Sequence, residues 1–352
     1  MSKEELKKAL STVQDLKATV ESKRQTKNDT IIKTIIGGND SGIKELGLQQ
    51  RKEMTGHFGK IYSLNFSSNS ESIVTASQDG KLIIWNALTQ NKYCAITLNS
   101  SWVMNCVFSP SIKFVASGGL DNKVTIHKVE PTFVSKELYT ELEAHDGYVS
   151  CCRFIDDHEI ISASGDSNII LWDIATQKFK QQFNDHSSDV MSVSLNKQNK
   201  TLFCTGSVDN TVKVWDIRTS NHCIYNFVGH EQDVNSVQFF RDNNSILSGS
   251  DDGSVRLYDM KSYSQVQQCK DATNKSSHDK DEISGITSLD SSNSGAYIFS
   301  AYDNGKVYIW NTLTAKNISS MAHEERVSCL QVSPNGYGVA TGCWDFMLRV
   351  FA

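Results

Sequence analysis

An Asp or Asn followed six residues later by an aromatic or imidazole ring recurs seven times along the chain, and that recurrence leaves few folds open. The pairs are Asp79/Trp85, Asp121/His127, Asp166/Trp172, Asp209/Trp215, Asp252/Tyr258, Asn304/Trp310 and Asp345/Phe351. Their second members are spaced by 42, 45, 43, 43, 52 and 41 residues. A period in the forties is the length of one supersecondary unit that buries its apolar face by stacking on its neighbours. Each unit also reads as strands. KIYSLNF (60–66), SIVTAS (72–77) and KLIIWN (81–86) are short, rich in β-branched and aromatic residues, and broken by turn residues such as Gln78-Asp79-Gly80.

A histidine stands 21 to 23 residues ahead of the Asp in five units: His57, His145, His186, His230 and His323. Twice it follows Gly, at Gly56-His57 and Gly229-His230, and the closing ring often runs into Asp, as at Trp172-Asp173 and Trp215-Asp216. With these G-H and W-D marks, residues 51–352 resemble the WD-repeat β-propellers. The resemblance implies an all-β fold, a seven-bladed propeller of four antiparallel strands per blade. The last unit ends after three strands, so RKEMT (51–55) is expected to supply its fourth and remove the open edge. His, Ser and Asp in one unit superficially suggest a catalytic triad. A catalytic site is needed once, however, whereas this set repeats. His57, Asp79 and Trp85, with their equivalents His145, Asp166, Trp172, His186, Asp209, Trp215, His230, Asp252, His323 and Asp345, are expected to form a structural hydrogen-bond network.

Composition narrows the function classes. Hydrophobic residues at 39% and charged residues at 21% exclude collagen-like and disordered chains. A net charge of −5 argues against bulk nucleic-acid affinity. No apolar run approaches the about 18 residues of a spanning helix. The opening MSKEELKKAL is charged where a signal peptide is apolar, so a soluble, cytoplasmic protein is expected. Nine cysteines without a C-x-x-C pair read as buried free thiols, not a zinc or disulfide framework. GGNDSGIK (37–44) lacks the Gly-Lys-Ser/Thr of a phosphate loop, and no H-E-x-x-H, EF-hand or G-x-S-x-G motif occurs. No enzyme activity, cofactor or metal is expected.

Residues 1–36 form a separate segment. Leu6, Leu10, Val13 and Val20 follow a heptad seam, with Lys17 at the missing core position and Ser2-x-x-Glu5 as a capping box. A helix of about three heptads is unstable alone in water and must pack on something. Residues 37–50 read as a linker.

In an antiparallel meander, the turn between strands two and three and the link from blade to blade fall on one rim. That rim gathers the two tryptophans outside the repeat, Trp102 and Trp344, with Lys60, Tyr62, Met104, Leu120, Tyr148, Asp189, Met191, Asp233 and Asp251. Aromatic and Met anchors among charges have the composition of a protein-binding hot spot.

A short coiled-coil helix ahead of seven WD units is similar to the β subunits of heterotrimeric G proteins. ASQDGKLIIWN (76–86), SSWVMNC (100–106), GGLDN (118–122), GYVSCCRF (147–154), DVMS (189–192) and RVSCL (326–330) carry the likeness. The resemblance implies a non-enzymatic transducer. A γ subunit would pair with the helix through Leu6, Leu10, Val13, Leu16 and Val20, and would also contact the propeller edge. GDP-bound Gα would cover the rim, to which Asn122 is added, and would place its N-terminal helix on Phe58, Lys81, Ile83 and Lys92. Downstream effectors would take the same rim after Gα release, and a lipidated partner would hold the protein at the inner face of the plasma membrane. The alternative is a generic WD-repeat scaffold, which needs neither the helix nor the rim strings. Departures from the pattern are the long sixth unit with CKDATNKSSHDKDE (269–282), Asn304 in place of Asp, and His127 in a second unit without G-H.

Overall fold

The computed structural model describes residues 47–129, 136–219, 221–271 and 283–352. The helix expected over 1–36, the heptad residues within it and positions 37–46 of the linker lie outside the described residues, as do 272–282 of the insertion. The described residues build seven sheets of four antiparallel strands. The first strands are Ile61–Phe66, Val103–Phe108, Val149–Phe154, Val190–Leu195, Val234–Phe239, Ile286–Ser291 and Val327–Val332, and each packs beside the first strands of the next and previous blades. They form the inner ring of a seven-bladed propeller.

The seventh blade is completed from the other end of the chain. Gln50–Thr55 pairs antiparallel with Met347–Phe351, with Met54 opposite Leu348, and Gln49 exchanges backbone hydrogen bonds with Ala352 at 3.1 and 3.2 Å. This is the closure expected of RKEMT.

The core is a set of layers between blades. Met54, Cys329, Ala340 and Leu348 of the seventh blade interleave with Ile61, Phe66, Ile73 and Trp85 of the first. Val124, Ile126 and Leu142 of the second meet Val149, Phe154 and Trp172 of the third. The middle strands are buried on both faces, so SIVTAS is buried throughout instead of alternating. One second-strand position, three residues before the turn Asp, is always small: Ala76, Gly118, Ala163, Gly206, Gly249, Ala301 and Gly342. A Cβ on Gly118 would lie 2.4 Å from Val149, and one on Gly249 would lie 2.6 Å from Ile286. The first strand of the next blade fills that space.

An inner strand has no sheet partner toward the axis, and its backbone donors are met by side chains of the preceding blade. The Cys106, Phe108 and Cys152 N–H groups donate to Ser63, Asn65 and Asn105. The Val332 N–H donates to Asp290 at 2.7 Å, and the Phe66 N–H donates to Gln331 at 2.7 Å across the closure.

The repeat network forms in blades one, three, four and five. His57, His145, His186 and His230 meet Asp79, Asp166, Asp209 and Asp252 through Nδ1 at 2.8–3.1 Å. Their Nε2 atoms lie 2.6–2.7 Å from the hydroxyls of Thr75, Ser162, Thr205 and Ser248. Trp85, Trp172 and Trp215 donate Nε1–H to the same hydroxyls at 2.7–2.8 Å. An indole can only donate, so the hydroxyl accepts there and turns its own hydrogen to the imidazole. Nδ1–H is then left to donate to the carboxylate. Burial alone would raise the Asp166 carboxyl, but the bonds from His145, Asn168 and Asp146 bring it down to about 2.

The seventh blade departs from this pattern and corrects the expectation for His323 and Asp345. His323 Nε2 keeps the Thr341 hydroxyl at 2.8 Å, but its Nδ1 is buried without a partner. Asp345 instead pairs with Arg349 at 2.6 Å. The loop is one residue shorter here. Lys306 pairs with Ala322, one residue before His323, whereas Lys123 pairs with Glu143, two before His145.

Candidate protein-binding rim

Three register positions, repeated around the ring, build one rim. The residue before each turn Asp or Asn donates its backbone N–H to the carbonyl of the residue before the first strand. The pairs are Gln78 to Lys60, Leu120 to Trp102, Gly165 to Tyr148, Val208 to Asp189, Asp251 to Asp233, Asp303 to Gly285 and Trp344 to Arg326, at 2.9–3.4 Å. The third position is the second residue of each first strand, where all seven blades have a β-bulge. A bulge leaves one residue out of the ladder and re-aims its side chain. Eleven of the twelve residues expected on the rim occupy these positions. The twelfth, Asn122, sits in the turn at φ 62° and donates its side-chain amide to the Asp146 carbonyl at 3.2 Å.

The bulge residues divide by chemistry. Ser150, Asn235, Thr287 and Ser328 use their side chains to bond the first residue of the next inner strand, at Val190, Ile286, Val327 and Ile61. Tyr62, Met104 and Met191 remain partly exposed as apolar contact surface.

The rim is also polarised by charge. On blades seven, one and two, Tyr62 stacks on Trp102 with ring centroids 6.1 Å apart and stands edge-on to Trp344 at 6.4 Å. Lys60 Nζ lies 3.6 Å above the Trp344 ring, and Arg326 covers it at 5.0 Å. Such cation–π contacts hold a ring rigid before any partner arrives. Trp102 is 42% exposed and Leu120 50%. Trp102 adopts φ 66°, and a Cβ on Gly119 would lie 2.6 Å from its carbonyl oxygen, so glycine is what lets this loop close. On the opposite arc, Asp189, Asp233, Asp251 and Asp303 make the rim acidic. Burial raises the Asp251 carboxyl, opposed by a bond from Asn235, with Asp233 and Asp303 adding to the rise. Tyr148 sits between the arcs. Its hydroxyl donates to Asp189 at 2.9 Å, and burial with that carboxylate raises its pKa. A Cβ on Gly165 would lie 2.3 Å from the Tyr148 ring.

The second predicted surface is partly present. Phe58 is 82% exposed with Lys81 Nζ 5.5 Å from its ring, and Lys92 reaches over Trp85 at 5.3 Å. Ile83 is a correction. It is 2% exposed and packs in the layer between the seventh and first blades, so it is a core residue and not a contact. Sequence reasoning also missed Arg326, Asn235, Asp303 and Phe346. Phe346 is an exposed ring held at φ 70° beside Trp344. The first three share the rim's register with residues that were found, and that register was the signal available for them. Among the described residues there is no cluster of three or more metal-ligating side chains.

The chain matches the family described as G protein beta WD-40 repeat protein over residues 3–352. It is 39% identical to a guanine nucleotide-binding protein subunit beta of Solanum tuberosum, covering 100% of this chain and 98% of that protein. The corresponding proteins of Zea mays and Nicotiana tabacum are 37% and 38% identical, covering 99% and 100% of this chain and 96% and 98% of theirs. With a seven-bladed propeller, a rim of the expected composition and matches along its full length, the chain belongs to the β subunit family of heterotrimeric G proteins.

Proposed function

We propose that this chain, as a G-protein β subunit, binds GDP-bound Gα across the polarised rim and hands the same rim to effectors when Gα leaves. The observation that carries this reading is the division of one rigid ring into an aromatic and cationic arc around Trp102 and Trp344 and an acidic arc around Asp233 and Asp251. A partner whose switch segment presents an apolar ridge flanked by charges of both signs fits such a surface in one orientation, which is what specificity requires. The propeller supplies a preformed surface and no chemistry, and the nucleotide-dependent change belongs to Gα. Lys60, Tyr62, Trp102, Met104, Leu120, Asn122, Tyr148, Asp189, Met191, Asp233, Asp251 and Trp344 are the proposed contact set, with Arg326 added. Phe58, Lys81 and Lys92 are the proposed second Gα contact.

Pairing of residues 1–36 with a γ subunit through the heptad seam is part of the proposal, as is membrane attachment through a lipidated partner. The test is a pull-down with the full chain and with a chain lacking residues 1–30, in excess GDP or a non-hydrolysable GTP analogue. The reading expects a small helical protein that is lost with the truncation and a Gα retained with GDP alone. Partners indifferent to both would reject it.

A further inference from the structure

The second blade lacks both rings of the repeat network. His127 stands where blades one, three, four and six carry the indole, and Asn99 stands where blades one, three, four, five and seven carry the imidazole. Lys81 pairs with Thr97, two residues before Asn99, just as Lys123 pairs with Glu143, two before His145. In blades one, three, four and five the imidazole bridges the turn carboxylate and the second-strand hydroxyl. In the second blade both ends of that bridge are present without the ring. Ser117 Oγ is buried with no hydrogen-bond partner, in a residue 1% exposed. The Asp121 carboxylate keeps the turn bond of the other blades, here a long one from the Lys123 N–H at 3.4 Å, whereas Asp79 and Asp166 accept an imidazole on their other oxygen as well. His127 Nδ1 is likewise buried and unpartnered.

A cavity of about 350 Å³ lies there, its lining including Leu98, Asn99, Asp121, His127, Leu138 and the acidic Glu141. A recess of about 10 Å³ extends from the shared residues Leu98, Asp121 and Thr125 to Ser117. A buried polar group left unmet costs free energy, and a cavity of mixed polar and apolar lining that carries His127 and Asp121 and adjoins the recess reaching Ser117 offers room for a polar ring.

We propose that this cavity binds an imidazole-type nitrogen heterocycle. One ring N–H donates to the Asp121 carboxylate, and the second ring nitrogen accepts from the Ser117 hydroxyl. Leu98 and Leu138 cover the ring's faces, and the ligand restores the bridge that His57 and His145 make in their own blades. The same chemistry is offered by a free heterocycle and by a histidine side chain of a partner protein.

The test is a calorimetric titration of the full-length protein with imidazole and, separately, with histidine blocked at both ends, alongside thermal melting. Wild-type protein is expected to bind imidazole saturably at one site. Removing one hydrogen-bonding end in Ser117→Ala or Asp121→Asn should weaken binding about tenfold. Asn99→His should abolish it and raise the melting temperature, because its own ring then fills the site. Should either truncating variant fail to fold, Asn99→His carries the test alone, since it adds the group the other blades already have. Blocked histidine binding as tightly as imidazole assigns the site to a partner's side chain, and its exclusion assigns it to a free heterocycle. Absence of saturable imidazole binding by the wild-type protein, or binding undiminished by Asn99→His, would overturn the proposal.

Discussion

At the seventh blade the repeat's histidine stands apart from its turn aspartate. Arg349 takes Asp345 at 2.6 Å, and His323 is left with Thr341 on one side and nothing on the other. Burial, with Arg349 nearby, lowers the His323 pKa to about 4 from an ordinary 6.5, while Asp345 opposes the shift. Between those values the unfolded chain binds the proton and the folded chain does not. Stability therefore falls as pH drops through the window, by up to about 3 kcal/mol at its foot. Urea unfolding at pH 7 and pH 4.5 should show His323→Gln losing less than the wild-type protein, and parallel losses would contradict this account. The same scale governs the rim. Trp102→Ala is expected to weaken Gα binding by about 2 kcal/mol or more, as truncation of a hot-spot anchor does, with unchanged melting. An unaltered affinity would remove Trp102 from the interface.

The blades fit together through small residues that admit their neighbours. Gly249→Val would drive a side chain into Ile286 and Leu289, and is expected to cost about 1–3 kcal/mol by overpacking. Met54→Ala, in the strand that closes the ring, should cost about 2–5 kcal/mol through the cavity left against Leu348. Denaturant midpoints measure both, and a neutral result for Met54 would mean that the closing strand contributes little. Most of this architecture was legible in the sequence, because strand lengths, turn aspartates and the three-strand last unit are local signals. The strand Ile61–Phe66 and the closing strand Gln50–Thr55 each fall within one residue of their expected limits. What was not legible depends on which face a side chain takes. LIIW (82–85) is buried on both faces, so no alternation distinguished Ile83 as core. The failed pair at His323 accompanies a link shorter by one residue ahead of the histidine, and the histidine-to-aspartate spacing, 22 residues here as in blades one and five, does not register that change.

In the propeller of residues 47–352 one backbone register repeats around seven blades while the rim side chains differ from blade to blade. The bulge residues show the division of labour, with four bonding the next blade and three, Tyr62, Met104 and Met191, left partly exposed on the rim. The rim was found from sequence because its register repeats with the fold. Its polarity emerged from geometry, since Lys60 and Arg326 meet over Trp344 from opposite ends of the chain. The most direct test of the central claim is a binding titration of the protein, assembled with its γ partner, against Gα loaded with GDP and then with a non-hydrolysable GTP analogue. The rim account predicts tight binding to the GDP form, lost with the analogue and weakened for the GDP form by Trp102→Ala and Trp344→Ala alike. Equal affinity for the two nucleotide states, or GDP-form binding unaffected by both substitutions, would contradict it.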